Sequence, residues 1–267
     1  MWNSRKGSRK LFTPLESAYW IYKRSWIKRN LINSNAIIAV SKSTKDLLIS
    51  AGYPSEKIHV IYINALMPYT IDYSHYEPSD KFTYAYLSYP DQGKGVYQLV
   101  EAFGIALKRN SRLRLKIYGG LENARLVNFI RDLGLQDNIE MTRWVPFERY
   151  ALMLKEILKD VDVVVVPSIV FDTWSRVVTE SMLSGRAVMV TKGNGGLVEQ
   201  VEDKKTGFYV NVYDINDFAN ELLNVSQFSR DELRRMGLNA REIALKRWGN
   251  QDLIIEELEK LYMKINT

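Results

Sequence analysis

Residues 162–199, DVVVVPSIVFDTWSRVVTESMLSGRAVMVTKGNGGLVE, decide how the chain is read. Val163, Val164, Val165 and Val166 are four β-branched residues in a row, closed by Pro167 and Ser168. A short apolar run with a turn signal at its end reads as a strand buried on both faces, as in a parallel sheet. A polar loop follows over 171–175. Over 176–184 the spacing of Val177, Val178, Met182 and Leu183 is helical, and Gly185 stops the helix. Residues 187–190 form a second apolar strand, followed by the turn Gly193-Asn194-Gly195-Gly196. This is a βαβ unit, and its first loop lies at the carboxyl end of a parallel strand, where open α/β sheets bind ligands.

Asp172, Trp174, Ser175 and Glu180, followed by Gly185 and Gly195-Gly196, resemble the signature of the retaining GT-B glycosyltransferases of family four. That family carries a Glu, an aromatic-Gly pair, and a second Glu eight residues after the first. Here Asp172 takes the first position, Ser175 replaces the glycine, and Glu180 stands. The resemblance runs from about Leu31 to the C-terminus. It implies a Rossmann-like parallel sheet for nucleotide-sugar binding, joined to a truncated N-terminal α/β remnant. The alternative for Asp172 and Glu180 is a pair of solvated charges on a loop and a helix.

Working outward, 267 residues suffice for one large or two modest domains, and 46% apolar with 25% charged residues is an ordinary globular composition. With no cysteine there is no disulfide or thiolate chemistry, which is compatible with a reducing cytosol. His59 and His75 are the only histidines, so a histidine-rich metal site is excluded. No apolar run reaches the length of a membrane span, and the N-terminus lacks the apolar core of a signal peptide. The expected location is cytoplasmic, with peripheral membrane contact as a further expectation.

That contact would come from residues 1–30. They hold eight basic side chains against Glu16, leaving 29 basic and 30 acidic residues in the remainder. Trp2, Phe12, Tyr19, Trp20, Tyr22 and Trp26 are interleaved with them. Such a segment suits an anionic membrane surface. A solvated helix whose aromatics pack on the domain has equal standing; nucleic acid has less, because nothing else in the chain is basic.

Residues 36–40 and 59–63 read as strands around a helix over 44–50, with Ser41 as its N-cap. This stretch resembles the end of the family's N-terminal domain, with Asn64 at the hinge. The family has well over a hundred residues before it, so most of the acceptor-binding half is expected to be missing. The domain reading is 1–66 for the arm and remnant, 67–249 for the donor domain, and 250–267 for a helix crossing back. Too few residues precede strands 36–40 and 59–63 to finish their sheet. The open edge predicts self-association, a separate acceptor-binding partner, or cover by the arm. Self-association is favoured.

Residues 67–80 read as a linker, and strands follow at 82–87, 113–118, 139–145 and 206–212. Helices are expected over 96–108, 122–133, 150–159, 215–224, 230–246 and 253–265. The loop SYPDQGKG at 88–95 ends the first of these strands. By resemblance, Lys94 and Gly95 hold the donor diphosphate, while the family's Arg falls at Ser88 or Tyr89 and is absent. A nearby ammonium stabilises the charge on a leaving diphosphate; the alternative is a surface lysine. Gly119-Gly120 lets a backbone approach a phosphate or simply turns the chain. By resemblance, the backbone after the 139–145 strand contacts the nucleotide base, which makes Trp144 and Val145 candidates by position.

The resemblance therefore implies transfer of a sugar from a nucleotide-diphospho-sugar with retention of configuration. Glu180 would accept from the ribose hydroxyls and Asp172 would orient the sugar. The amides of Trp174, Ser175, Arg176 and Val177 at a helix N-terminus would face the phosphates, and no metal is required. The alternatives are a module that binds nucleotide sugar without transferring it, and a basic membrane or nucleic-acid adaptor.

Overall fold

The computed structural model describes residues 14–63, 75–249 and 251–266. Trp2 and Phe12 of the arm, the hinge candidate Asn64 and positions 67–74 of the linker lie outside them.

Helix α1 (Pro14–Asn33) leads into a small parallel unit of β1 (Ile37–Ala39), α2 (Lys42–Ser50) and β2 (Ile58–Val60). Ser41 caps α2, its hydroxyl accepting from the Thr44 amide at 3.0 Å. The two strands pair only with each other among the described residues, so each keeps one open edge. Ile37, Ala39 and Ile58 form the unit's buried centre, with Leu31 of α1 packed against it.

The larger sheet is wholly parallel. Its strands are β3 (Phe82–Tyr86), β4 (Leu113–Ile117), β5 (Ile139–Met141), β6 (Val163–Val166), β7 (Ala187–Thr191) and β8 (Gly207–Val210). They lie in the order β5-β4-β3-β6-β7-β8. The chain first builds outward from β3 to β5, then returns to place β6 on the other side of β3. The order reverses between β3 and β6, which opens a crevice at their carboxyl ends.

Both faces are covered. Val163 and Val165 point with Tyr84, Tyr86, Leu115 and Ile117 toward α3 (Val96–Arg109), α4 (Ala124–Asp132) and α8 (Ile215–Val225). Val164 and Val166 point the other way with Val188 and Val190, toward α5 (Phe147–Leu158) and α6 (Arg176–Leu183). The alternation follows from the two-residue period of a strand, and two covered faces explain the unbroken valine run. Each such side chain contributes about 1.5–3 kcal/mol on burial. Helix α9 (Arg230–Arg247) begins with a capping box of Ser229 and Glu232 and packs on α6. Helix α10 (Gln251–Asn266) returns to the small unit, where Leu261 lines clefts with Ile58 on one side and Ile38 on the other.

Two expectations need correction. The strand drawn over 139–145 ends at Met141: past the last ladder bond, from the Thr142 amide to the Ile117 carbonyl, Trp144 turns back over Gly119. After the glycine turn lies α7 (Leu197–Gln200), which four residues of pattern did not reveal.

This short helix ties the two units together. Glu199 accepts from the amides of Lys42 at 2.9 Å and Ser43 at 2.6 Å, and from the Ser43 hydroxyl at 2.6 Å. A carboxylate thus caps the first turn of α2, where unpaired amides and the helix dipole favour a negative charge. Tyr62, Trp174 and Trp248 pack beside this contact, with ring centroids 4.8 Å apart for the first pair and 5.0 Å for the second. Glu199→Ala should lower the unfolding free energy by about 1.5–3 kcal/mol, the loss of hydrogen bonds to a charged acceptor. It should also speed amide exchange at Lys42 and Ser43. Urea unfolding with hydrogen exchange checks this; unchanged stability and protection would remove Glu199 as the tie.

Candidate active site

The site is built from two loops that meet at the crevice between β3 and β6. After β3, Asp91 caps a single turn of 3-10 helix at Gln92–Lys94, its carboxylate accepting from Gly93 at 2.6 Å. Gly95 follows with φ of 74° and starts α3. A Cβ there would stand 1.9 Å from the carbonyl oxygen of Pro167, so glycine is required for both conformation and space. The Gly93 carbonyl accepts from the amides of Ile169 and Val170 at 2.9 and 3.1 Å. The loop after β3 is thereby stapled to the loop after β6.

Lys94 closes the junction. Its Nζ donates to Asp172 Oδ2 at 2.8 Å, and the Ser168 hydroxyl donates to the same oxygen at 3.0 Å. Asp172 is buried, 7% exposed, whereas the Lys94 side chain is 36% exposed. Asn194 fixes the acid from behind: Oδ1 accepts from the Asp172 amide at 2.9 Å, and Nδ2 donates to the carbonyls of Ser168 and Val170. The glycine turn packs against the same loop. A Cβ on Gly195 would lie 2.2 Å from the Asp172 carbonyl oxygen, and one on Gly196 2.3 Å from that of Thr173. Asn194 and Ser168 were quoted in the sequence without a role. They supply the hydrogen bonds that hold Asp172.

Glu180 sits in the second turn of α6, 5% exposed, and accepts from the Tyr150 hydroxyl at 2.7 Å. Burial pushes its pKa up to about 6, against the opposing pulls of that hydrogen bond and of Arg176. Burial and the neighbouring carboxylate push the Tyr150 hydroxyl well above its ordinary value, so Tyr150 remains a donor. Through its bond to Glu180, Tyr150 joins the candidate site; sequence reasoning missed it, and its only signal was its place at the start of a helix.

The remaining candidates fall in different places. Ser175 caps α6 through its hydroxyl, and its amide donates to Gln200 Oε1 at 3.1 Å. The amides of Arg176 and Val177, the first two residues of α6, have no carbonyl one turn back within the helix. The Trp174 side chain is buried against Tyr62 and Trp248, so it faces the small unit rather than the crevice. Trp144 covers Gly119: a Cβ on Gly119 would lie 2.4 Å from its ring. It also stacks with Tyr89, centroids 5.8 Å apart at 19°. The amides of Trp144 and Val145 donate to Glu122 and to the Tyr118 hydroxyl. Among the described residues no group of three or more His, Cys, Asp or Glu could hold a metal ion, and no helix is long and apolar enough to cross a membrane.

The raised pKa of Glu180 has a measurable sign. The folded state keeps the proton after the unfolded chain has released it. This contribution to stability is therefore full below pH 4.5 and is lost as pH rises through about 6. Glu180→Gln removes it. The stability of the native protein relative to this variant should fall by about 1.5 kcal/mol between pH 4.5 and 6.5. Denaturant titrations across that range check this, and a pH-independent difference would contradict the burial of an ionisable carboxyl.

Comparison with known proteins agrees with this geometry. The family described as Glycosyl transferases group 1 matches residues 71–243, and Glycosyltransferase Family 4 matches residues 3–63. A putative colanic acid biosynthesis glycosyltransferase, WcaL of Escherichia coli K12, is 30% identical over 174 residues, covering 63% of this chain and 41% of that protein. The poly(ribitol-phosphate) alpha-N-acetylglucosaminyltransferase of Staphylococcus aureus is 24% identical over 163 residues, covering 60% of this chain and 31% of that protein. Anabaena Alr3699/HepE, solved in complex with UDP and glucose, superposes with a TM-score of 0.75 at 20% identity, covering 90% of this chain and 66% of that one. The chain thus spans between 31% and 66% of the length of these relatives. Together with the parallel sheet and its switch-point loops, the match over 71–243 shows that the chain belongs to the Glycosyl transferases group 1 family, with a GT-B type α/β fold.

Proposed function

We propose that this protein transfers a sugar from a nucleotide-diphospho-sugar to an acceptor hydroxyl with retention of anomeric configuration. The observation that carries the reading is the contact between Lys94 and Asp172 across the crevice where the strand order reverses. In the free protein each neutralises the other. A bound donor would exchange these partners: the diphosphate takes the Lys94 ammonium, and Asp172 is released to accept from hydroxyls of the sugar. As the bond from anomeric carbon to diphosphate breaks, its electron pair leaves with the phosphate, the acceptor oxygen bonds to the anomeric carbon on the same face, and the hydroxyl proton passes to the departing phosphate oxygen. Lys94 and the free amides of Arg176 and Val177 then meet the growing charge. Glu180, ionised at neutral pH and oriented by Tyr150, accepts from the ribose hydroxyls. The stacked rings of Tyr89 and Trp144 lie beside Gly119 at the end of β4, where a planar base would find an aromatic surface. The structural relative solved with UDP and glucose supports this class of donor.

A second reading is a module that binds the donor without transferring it. Its support is the neutral Tyr89 near the position where the resemblance expects an arginine, and the Ser175 amide already engaged by Gln200. The two readings separate on turnover.

Thermal-shift titration with UDP- and GDP-sugars should raise the melting temperature, since a ligand that binds only the folded state stabilises it. Lys94→Ala should lower kcat for nucleoside diphosphate release more than it raises KM. Asp172→Ala and Glu180→Ala should each weaken donor binding by about 1.5–3 kcal/mol. Binding without any diphosphate release selects the module. No shift with any nucleotide sugar contradicts both readings.

A further inference from the structure

Helix α1 has two faces. At about 100° per residue, Lys28 and Leu31 lie on the side that meets the small unit. Leu31 packs on Ile37, Ala39 and Ile58, and Lys28 Nζ donates to the Ala51 carbonyl at 2.8 Å. Tyr19, Tyr22 and Trp26, spaced i, i+3, i+7, share an arc of about 60° on the opposite side. They are 56%, 68% and 56% exposed. Lys23 and Arg29 border this stripe, one on each side. Residues 19–33 hold four cations, Lys23, Arg24, Lys28 and Arg29, and no carboxylate.

We propose that this face of α1 docks on an anionic lipid bilayer, with the helix lying in the interface. Tyr and Trp rings with one apolar body and one polar tip sit at the headgroup level, and bordering cations meet the lipid phosphates. A second copy of the chain is the poorer occupant, because its α1 would bring the same four cations to the contact against a single carboxylate, that of Glu16. Nucleic acid is poorer too. The other 237 residues balance 29 basic against 30 acidic side chains, so no basic track continues from the helix along a phosphate backbone. The proposal is independent of the donor site and survives if the proposed transfer fails.

The test uses the full chain and sedimented vesicles of phosphatidylcholine, with and without about one-third phosphatidylglycerol. The protein should bind the anionic vesicles and not the neutral ones, and raising salt from about 0.1 M to about 0.5 M should release it. Replacing Tyr19, Tyr22 and Trp26 together by serine should lower partitioning at least about tenfold. Lys23→Gln with Arg29→Gln, the two cations that border the stripe, should lower it about 30-fold. This pair leaves Leu31 and Lys28, which hold the helix on the small unit, untouched, so it keeps the test valid if the aromatic variant melts early. Absent binding to anionic vesicles, equal binding to neutral ones, or full retention by both variants overturns the proposal. So does either alternative outcome: binding of a homopolymeric RNA without vesicle binding, or a dimer in light scattering that the aromatic variant abolishes.

Discussion

The staple between the loops after β3 and β6 governs the rest of the molecule. One carbonyl, that of Gly93, accepts from two amides of the opposite loop, and Lys94 then reaches the Asp172 carboxylate. Gly95 must be glycine to let Pro167 approach, and Gly195 and Gly196 must be glycine to let the 171–174 segment approach. The constraint is backbone contact at a position where the sheet reverses its strand order. Such a crevice is held open by topology, and side chains on the loops then decide what it recognises.

The electrostatics at this place are divided between two carboxyls in different environments. Asp172 is buried beside a cation and a hydroxyl, so its charge has partners. Glu180 is buried with a tyrosine donor alone among the described hydrogen bonds, and desolvation raises its pKa to about 6. Adding hydroxyl donors to Glu180 favours its ionised form. A polyhydroxylated ligand is therefore the kind of occupant that would relieve the cost of burying this carboxylate.

Much of the fold was legible because parallel strands covered on both faces leave apolar runs that need no partner to be seen. Val163–Val166 is the clearest, and the helices after it follow from spacing and from Gly185. The errors have physical causes. The strand ending at Met141 was drawn too long because Trp144 and Val145 are apolar for another reason, packing over Gly119 and beside Tyr118. Trp174 stands in a polar loop in sequence, yet it is buried by Tyr62 and Trp248, partners 112 and 74 residues away. The acids and Lys94 were chosen as candidates from motif and position, but the contact between Lys94 and Asp172 spans 78 residues and no local pattern encodes it. Tyr150, Asn194 and Ser168 escaped for the same reason: each acts through hydrogen bonds to residues far along the chain or around a turn.

The central claim is that the Lys94–Asp172 pair is a self-neutralised nucleotide-sugar site. Its most direct test is a crystal structure of the protein with UDP or GDP bound. The account predicts the diphosphate within about 3 Å of Lys94 Nζ, the distance of a charge-assisted hydrogen bond. It also predicts that the Lys94–Asp172 contact is broken and that the ribose hydroxyls lie on Glu180. A nucleotide bound elsewhere, or bound here with the ion pair intact and Glu180 untouched, would contradict it.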